Sequence, residues 1–380
     1  MFSINSLRMR RIRRAAMQFG VIGIMFALVV LLGVTVRDGF AARGVNFSFS
    51  FLTAPAGFEI SEGLTVTKDG LTRFSSDLTN TQALIAGLSN TLKVAVAAIV
   101  LATALGVLMG VSRLSTNWLI RNLAFGATEF LRNTPLLIQL TFWYIAVILK
   151  LPTLRDAPEF WGAIISQQGI WLPAVLPYGG YAMLPAFVGA ILAIAAILPA
   201  QRARRGWLVA GAVIMLAIAF LTGFRLSVDF PEAGRFRATG GLSISAEYAA
   251  LLIAITVNAA AYISEIVRGA IEALPRGQWE AADSIGLSRR NVLSDVVLPQ
   301  VFRVVLPSFG NQYISLAKNT SLGIAIGYPD LFNVYGTVSN QTGRSLEGVL
   351  LAMAIYLVMS WIISLAMNLI NRRMKIPGVR

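Results

Sequence analysis

The sequence predicts an all-α protein that crosses a membrane about eight times. Two observations support this prediction. The first is the composition, with 56% of the 380 residues hydrophobic and only 13% charged, and the second is the mean hydropathy of +0.69. A soluble domain carries roughly 25% charged residues. The third observation is that Lys and Arg recur in clusters between long apolar stretches. Lipid is therefore the solvent that this chain requires.

Apolar stretches of membrane-spanning length mark the helices. About 20 residues in a helix cross the hydrocarbon core, where only a helix satisfies its own backbone. The seventh span is the weakest candidate, because it contains the polar residues Asn311, Gln312, Lys318 and Asn319. The predicted spans are 17–36, 84–112, 120–149, 184–200, 207–224, 247–270, 304–326 and 347–370.

The first span is open to two interpretations, a retained anchor and a cleaved signal peptide. Its apolar stretch of about 20 residues exceeds the 7–15 residues of a signal peptide. The small residues Ala41 and Ala42 follow Arg37 and Asp38, which is a poor context for cleavage. We therefore favour a retained anchor.

Basic residues predict the orientation of the spans. The clusters follow every second span, as the positive-inside rule requires of cytoplasmic loops, so both termini are expected in the cytoplasm. We assign the net charge of +14 to topology and to anionic lipid rather than to nucleic acid. The basic segments are Arg8–Arg14, Arg113–Arg132, Arg202–Arg205, Arg268–Arg303 and the residues after Arg372.

The composition also excludes several kinds of chemistry. The chain has no Cys and no His, which removes disulfides, thiolate sites, imidazole catalysis and the common zinc sites. No Lys follows a Gly, although a Walker A loop needs that pair to bind phosphates. We expect no metal site, no bound cofactor and no ATPase site in this chain.

One loop, after the sixth span, carries the most informative motif. It reads Gly-Gln-Trp-Glu-Ala-Ala-Asp-Ser-Ile-Gly over 277–286, then nine residues, then Val-Val-Leu-Pro over 296–299. We expect a short helix over 280–285 with small residues on its surface, ended by Gly286 as a left-handed cap. A second helix is expected to begin near Ser288, and Leu298-Pro299 is expected to break the chain before it re-enters the membrane.

This spacing resembles the EAA loop of ABC importer permeases, with Val296 in the place of isoleucine. The resemblance implies a type I importer core of five spans. It also implies that the loop forms a coupling helix that docks on the ATP-binding subunit. The motif residues to which it assigns coupling are Glu280, Ala281, Ala282, Gly286, Leu298 and Pro299.

Four further segments, 87–92, 129–139, 261–269 and 318–322, are similar to permeases for polar amino acids, the histidine/glutamine/glutamate/arginine group. Spans two, three, six, seven and eight correspond to the five-span core of that group, and long permeases of the general L-amino-acid type carry extra helices. The predicted regions are 1–83 with the anchor and an external loop, 84–149 and 247–380 with the core and a coupling loop at 271–303, and an insertion at 150–246.

The insertion begins with a loop rich in aromatic residues and proline. This density suits a membrane interface, so we expect an interfacial re-entrant or amphipathic stretch there. The residues concerned are Trp161, Trp171, Pro173, Pro177, Tyr178 and Tyr181.

The family resemblance implies partners and a location as well. It implies an ATP-driven importer of polar or general L-amino acids in a bacterial inner membrane. The partners would be a dimer of ATP-binding subunits, a second homologous permease in a heterodimer, a periplasmic amino-acid-binding protein and membrane lipid. ATP would bind only to the partner subunit.

Polar side chains inside spans are costly and need a reason. Glu129 and Arg132 are three residues apart, as are Glu265 and Arg268, so each pair can share a helix face near the cytoplasm. We expect structural ion pairs or parts of an inner gate.

Deeper polar residues are candidates for the substrate route. We expect Lys318 to meet an α-carboxylate and Gln139 or Asn258 to meet the ammonium group. Hydrogen bonding between helices is the alternative for each. The candidate residues are Gln139, Asn258, Lys318, Asn319 and Ser321.

Two other functions compete with the importer. A secondary transporter driven by an ion gradient requires a carboxylate or sodium site near mid-membrane, whereas Glu129 and Glu265 lie toward the cytoplasm. A non-transporting assembly protein would leave the polar residues of span seven dispensable for uptake.

Overall fold

The computed structural model describes residues 3–42, 47–68, 70–178, 183–197, 204–235, 237–288 and 291–373, and this part of the chain is mostly helical. By length and composition, four helices of the described chain can cross a membrane: α1, α2, α7 and α11. The helices are α1 (Ser3–Ala42), α2 (Asn80–Ser112), α3 (Trp118–Asn133), α4 (Leu136–Thr141), α5 (Met183–Ile197), α6 (Arg205–Leu221), α7 (Ala246–Glu272), α8 (Arg276–Ser284), α9 (Leu298–Asn319), α10 (Leu331–Thr342) and α11 (Ser345–Arg373).

Helices α2 and α7 pack against each other at the centre of the core. A Cβ atom built on Gly106 would lie 2.6 Å from Ile263 Cβ, and one built on Gly110 would lie 2.8 Å from the Ser264 carbonyl oxygen. Because these glycines are four residues apart on α2, they let the two backbones approach closely along one face. Both positions therefore depend on the absence of a side chain.

The predicted third span, 120–149, is interrupted, so the prediction of one helix there is wrong. Helix α3 ends at Asn133, Thr134 is extended with φ −101° and ψ 127°, and α4 begins after Pro135. Proline removes a backbone donor and forces the residue before it out of the helical region. A π-helical turn (Phe142–Val147) and a 3₁₀ turn (Ile148–Lys150) complete the segment.

The predicted seventh span, 304–326, begins earlier and ends differently. Helix α9 starts at Leu298 and is followed by a 3₁₀ helix, Thr320–Ile326. The predicted break at Leu298-Pro299 is wrong, because a π-helical turn (Val292–Val297) leads directly into α9. Pro299 lies in the first turn of α9, where proline is tolerated. Helix α10, which follows, was not predicted.

Short strands make the all-α prediction wrong for the loops between helices. The four-stranded sheet has the antiparallel order β10-β5-β4-β3, and β1–β2, β6–β7 and β8–β9 form separate pairs. The strands are β1 (Leu64–Thr67), β2 (Gly70–Arg73), β3 (Glu159–Phe160), β4 (Ala163–Ser166), β5 (Gly169–Leu172), β6 (Ala174–Tyr178), β7 (Arg225–Asp229), β8 (Glu232–Ala233), β9 (Ala238–Thr239) and β10 (Leu242–Ser245).

The aromatic loop predicted as a re-entrant or amphipathic stretch belongs largely to this four-stranded sheet. Gly162 and Gly169 adopt positive φ angles of 75° and 148° at the turns, which reverse the chain into antiparallel strands. Trp171 is buried in a small cluster with Ile164, whereas Trp161 is 89% exposed. The side chain of Tyr178 and the whole of Tyr181 lie outside the described residues.

The segment 47–79 packs on α2 and α10. Phe51 and Phe74 are buried in one cluster with Ala83 of α2 and with Leu331 and Val334 of α10. Thr79 then starts α2 through a capping box with Gln82, which satisfies two backbone donors at once. The N-terminal segment is therefore joined to the core, while the boundaries of the four predicted regions stay a prediction.

Candidate functional site

The coupling-loop motif forms a short helix with a defined end. Helix α8 runs from Arg276 to Ser284, one turn longer at its start than predicted. Gly286 has φ +74°; its N–H bonds to the Asp283 carbonyl, and the Leu287 N–H bonds to the Ala282 carbonyl. This pair of hydrogen bonds is a Schellman motif, so the predicted left-handed cap at Gly286 is confirmed.

The two faces of α8 differ. Ala282 is only 3% exposed and packs into the core, so the prediction that both alanines lie on the surface is wrong for Ala282. An exposed face, which we call the docking face, consists of Gly277, Ala281 and Ile285 at four-residue spacing. Its two small residues precede an isoleucine side chain that is 74% exposed. Glu280 is also exposed beside this face.

Ionised side chains join the ends of α2, α3 and α7 in what we call the inner cluster. Arg132 Nη1 lies 3.2 Å from Glu129 Oε1 and 3.4 Å from Glu265 Oε2, and Arg268 bonds both Glu265 and Glu272. The two pairs expected from the sequence therefore form within one network. Its members are Arg113, Glu129, Arg132, Glu265, Arg268 and Glu272.

Arg113 and Glu272 are the members of the inner cluster that the sequence did not single out, and Arg113 is the more deeply buried. Its side chain is 5% exposed, and Nη1 lies 2.6 Å from Glu265 Oε2. Nη2 lies 4.0 Å from Glu129 Oε1, so one guanidinium group connects α3 to α7 from the end of α2. The residue immediately follows span two and looks in the sequence like an ordinary positive-inside arginine.

Gln139 and Asn258 meet at the break between α3 and α4. Gln139 Nε2 donates to the carbonyl oxygens of Leu131 (2.7 Å) and Thr134 (2.9 Å), and Asn258 Nδ2 lies 3.4 Å from the Leu131 carbonyl oxygen. Both amides therefore satisfy carbonyl groups that the helix break leaves free. Gln139 Oε1 is buried and accepts no hydrogen bond from the described residues.

Lys318 and Ser321 lie apart from that pair, on a groove of about 510 Å³ beside α11. Phe332 and Tyr356 also line the groove. Lys318 has no ion-pair partner within the described chain, and Asn319 is half-buried at the end of α9. The structure thus separates the five predicted route residues into two locations.

A buried polar junction explains the segment 87–92, which had been identified only by resemblance. Asn90 Nδ2 donates to the Pro329 carbonyl (2.8 Å), and Thr91 Oγ1 accepts from the Leu331 N–H (3.0 Å). Asp330 caps α10 by accepting from the Asn333 N–H and also accepts from the Tyr356 hydroxyl. Burial raises the pKa of Asp330, which lies between the predicted spans, to about 6.

Comparison with known proteins decides the family. The family model described as "Binding-protein-dependent transport system inner membrane component" matches residues 102–376. The chain belongs to this family. It is therefore a permease component of an inner membrane, a transport subunit rather than a catalytic one.

Relatives of the permease support the finer resemblance. The general L-amino acid transport system permease protein AapQ of Rhizobium johnstonii is 38% identical over 86% of this chain and 83% of its own length. The glutamate/glutamine/aspartate/asparagine transport system permease protein BztB of Rhodobacter capsulatus is 35% identical over 96% of this chain and 94% of its own length. The predicted resemblance to amino acid ABC permeases is confirmed.

Proposed function

We propose that the permease is one membrane subunit of an ATP-driven, binding-protein-dependent importer of polar or general L-amino acids. The observation that carries this proposal is the docking face of α8. A capped helix that exposes small residues before Ile285 suits insertion into a cleft of an ATP-binding subunit, because small residues permit close approach and the isoleucine supplies apolar contact. The names of the two relatives support amino acids as the substrates.

Motion of α8 would pass directly to the inner cluster. Only residues 273–275 separate α8 from α7, whose last turns carry Arg268 and Glu272. ATP binding to the partner subunits would close their dimer and pull α8. The ion pairs from Glu265 to α2 and α3 would then rearrange, and the pathway would open outward. ATP hydrolysis would return the pathway to its inward-open state.

We assign the permease eight membrane crossings with both termini in the cytoplasm. The four long apolar helices support four of these crossings, and the shorter apolar helices α5 and α6 support an inserted pair. The interrupted segment 118–150 and the segment 298–326 complete the count. In this orientation the inner cluster and α8 face the cytoplasm, as the alternation of basic segments requires.

Amino acid recognition would involve both locations of the route residues. Lys318 lacks an ion-pair partner among the described residues, so it can bind the α-carboxylate, with Ser321 beside it on the groove. Gln139 Oε1, which accepts no hydrogen bond from the described residues, can bind the ammonium group at a different stage of transport. Asn258 and Asn319 would position these groups.

The partners would be two ATP-binding subunits, a second homologous permease in a heterodimer and a periplasmic amino-acid-binding protein, with ATP bound only by the ATP-binding subunits.

The test is gentle extraction of the tagged permease from its native membranes and identification of the proteins that co-purify. An ATP-binding subunit and a second permease are expected. ATP-dependent uptake of amino acids should follow when that preparation is reconstituted with the binding protein.

A substitution on the docking face makes this test specific. Ile285→Asp should abolish co-purification of the ATP-binding subunit, because a carboxylate replaces the apolar contact. Leu71→Asp is the matched control, since Leu71 is also 74% exposed but lies on β2. Equal loss in both variants, or gradient-driven uptake by the permease alone, would contradict the proposal and favour a secondary transporter.

A further inference from the structure

A second polar cavity, which we call the outer cavity, lies far from the inner cluster. Its volume is about 710 Å³, within the range of small-molecule sites. It is enclosed by α2, the β1–β2 hairpin and the four-stranded sheet. Lys93 on its floor and Arg113 in the inner cluster are separated by 20 residues of the same helix, or about 30 Å. In the proposed orientation the outer cavity opens to the periplasm.

The floor of the outer cavity is a fixed, neutral ion pair. Lys93 Nζ lies 2.8 Å from Glu62 Oε2, and the Ser245 hydroxyl donates to Glu62 Oε1 at 2.6 Å. The Lys93 ammonium also lies 4.3 Å from the ring centroid of Tyr248. Glu62, in the loop before β1, is thereby held between α2 and the start of α7. A carboxylate accepts about four hydrogen bonds, so Glu62 retains capacity for another donor.

Two arginines line the walls of the outer cavity. Arg73 belongs to β2, and Arg237 belongs to the insertion just before β9. Within the described part of the chain, neither guanidinium group has an acidic partner. Among the described residues, the lining therefore contains three cations, Arg73, Lys93 and Arg237, against the single carboxylate of Glu62. The excess positive charge attracts anions to the mouth of the permease.

We propose that the outer cavity binds free amino acids with an acidic side chain. Arg73 and Arg237 would bind the two carboxylates, and Glu62 would accept a hydrogen bond from the ammonium group. The volume suits one small molecule, whereas a stable protein contact needs about 1,000 Å² of surface. This inference rests on the proposed function and names a substrate class for it. It also gives the N-terminal segment and the insertion a shared role, since each supplies one arginine.

The test measures equilibrium binding of radiolabelled L-glutamate to the full-length permease. The permease is held in lipid nanodiscs with its co-purifying subunits but without the binding protein. We expect saturable binding that weakens as NaCl is raised, and competition by L-aspartate but not by L-lysine. Removing a charge-assisted hydrogen bond weakens binding about tenfold, so Arg73→Gln and Arg237→Gln should each raise the dissociation constant by about that factor.

Arg155→Gln is the matched control, because Arg155 is exposed in the same loop region but does not line the outer cavity. Its dissociation constant should equal that of the unmodified permease. The inference is overturned by absent saturable binding, by equal competition from L-lysine, or by unchanged affinity in the Arg73→Gln/Arg237→Gln double variant. The competition between L-aspartate and L-lysine needs no variant, so it tests the inference even if the double variant misfolds.

The binding and uptake measurements distinguish failure of this inference from failure of the proposed function. Persistent ATP-driven uptake of other amino acids without L-glutamate binding would overturn only the inference about the outer cavity. Loss of binding-protein docking in the double variant, with L-glutamate affinity unchanged, would identify Arg73 and Arg237 as protein contacts and would also overturn it. Saturable L-glutamate binding without any ATP-driven uptake would instead contradict the proposed function.

Discussion

Substitution of Gly286 tests the coupling role of α8 most directly. The glycine has φ +74°, and a Cβ atom built there has no neighbour within 4 Å. The cost of a side chain is therefore conformational rather than steric, about 1–2 kcal/mol for a residue with a Cβ in the left-handed region. This cost lowers the equilibrium ratio of the capped to the uncapped loop by a factor of about 5–30. Gly286→Ala should reduce uptake to a similar extent.

Two further variants separate backbone conformation from bulk. Asn tolerates the left-handed region better than Ala, so Gly286→Asn should retain more uptake. Gly286→Trp adds bulk beside the docking face and should uncouple ATP hydrolysis from uptake. The assay compares ATP-dependent uptake in proteoliposomes with ATPase activity stimulated by the binding protein, at equal membrane insertion. Uptake by Gly286→Ala and Gly286→Trp equal to that of the unmodified permease would refute the coupling role.

Three other predictions follow from buried or unpaired charges. Arg113→Met should lower the free energy of unfolding by about 1.5–3 kcal/mol, because it removes a charged hydrogen bond. It should also weaken the stimulation of ATPase activity by the binding protein. The control Arg121→Met, at an exposed position, should change neither quantity. Lys318→Met should raise the half-saturating amino acid concentration about tenfold in uptake assays, and an unchanged value would assign Lys318 a structural role. The folded-state pKa of Asp330, about 6 against 3.8, predicts that stability falls by about 2 kcal/mol as pH rises from 4 to 6, and Asp330→Asn should abolish this slope in thermal unfolding. Parallel unfolding curves for the two proteins would contradict the last prediction.

Long uninterrupted apolar stretches could be predicted within a few residues. The predicted spans 84–112 and 247–270 correspond to α2 and α7, because hydropathy and helix geometry favour the same structure there. The stretch 120–149 is equally apolar on average, but Pro135 interrupts its backbone hydrogen bonds. One proline therefore determines the backbone structure of this stretch more strongly than the mean hydropathy of its 30 residues does.

The candidate site was predictable only where its contacts are local. The pairs Glu129–Arg132 and Glu265–Arg268 were expected from three-residue helical spacing, and the cap at Gly286 from the turn chemistry of glycine. Arg113 contacts Glu265, which lies 152 positions away in the sequence, and the spacing of residues in a single sequence does not predict such a contact. The outer cavity was missed for the same reason, since its two arginines, Arg73 and Arg237, are far apart in the sequence.

The glycine contact between α2 and α7 has a mechanical consequence. Helices whose backbones touch cannot slide past each other without losing that contact, so they move as one lever. The 33 residues of α2 make this lever about 50 Å long. A rotation of about 5° about the end near Arg113 would displace the opposite end by about 4 Å over that length. Lys93 lies about 30 Å from the Arg113 end and would move by about 2.6 Å. This movement is close to the 2.8 Å between Lys93 Nζ and Glu62 Oε2, so a small tilt would suffice to open or close the floor of the outer cavity.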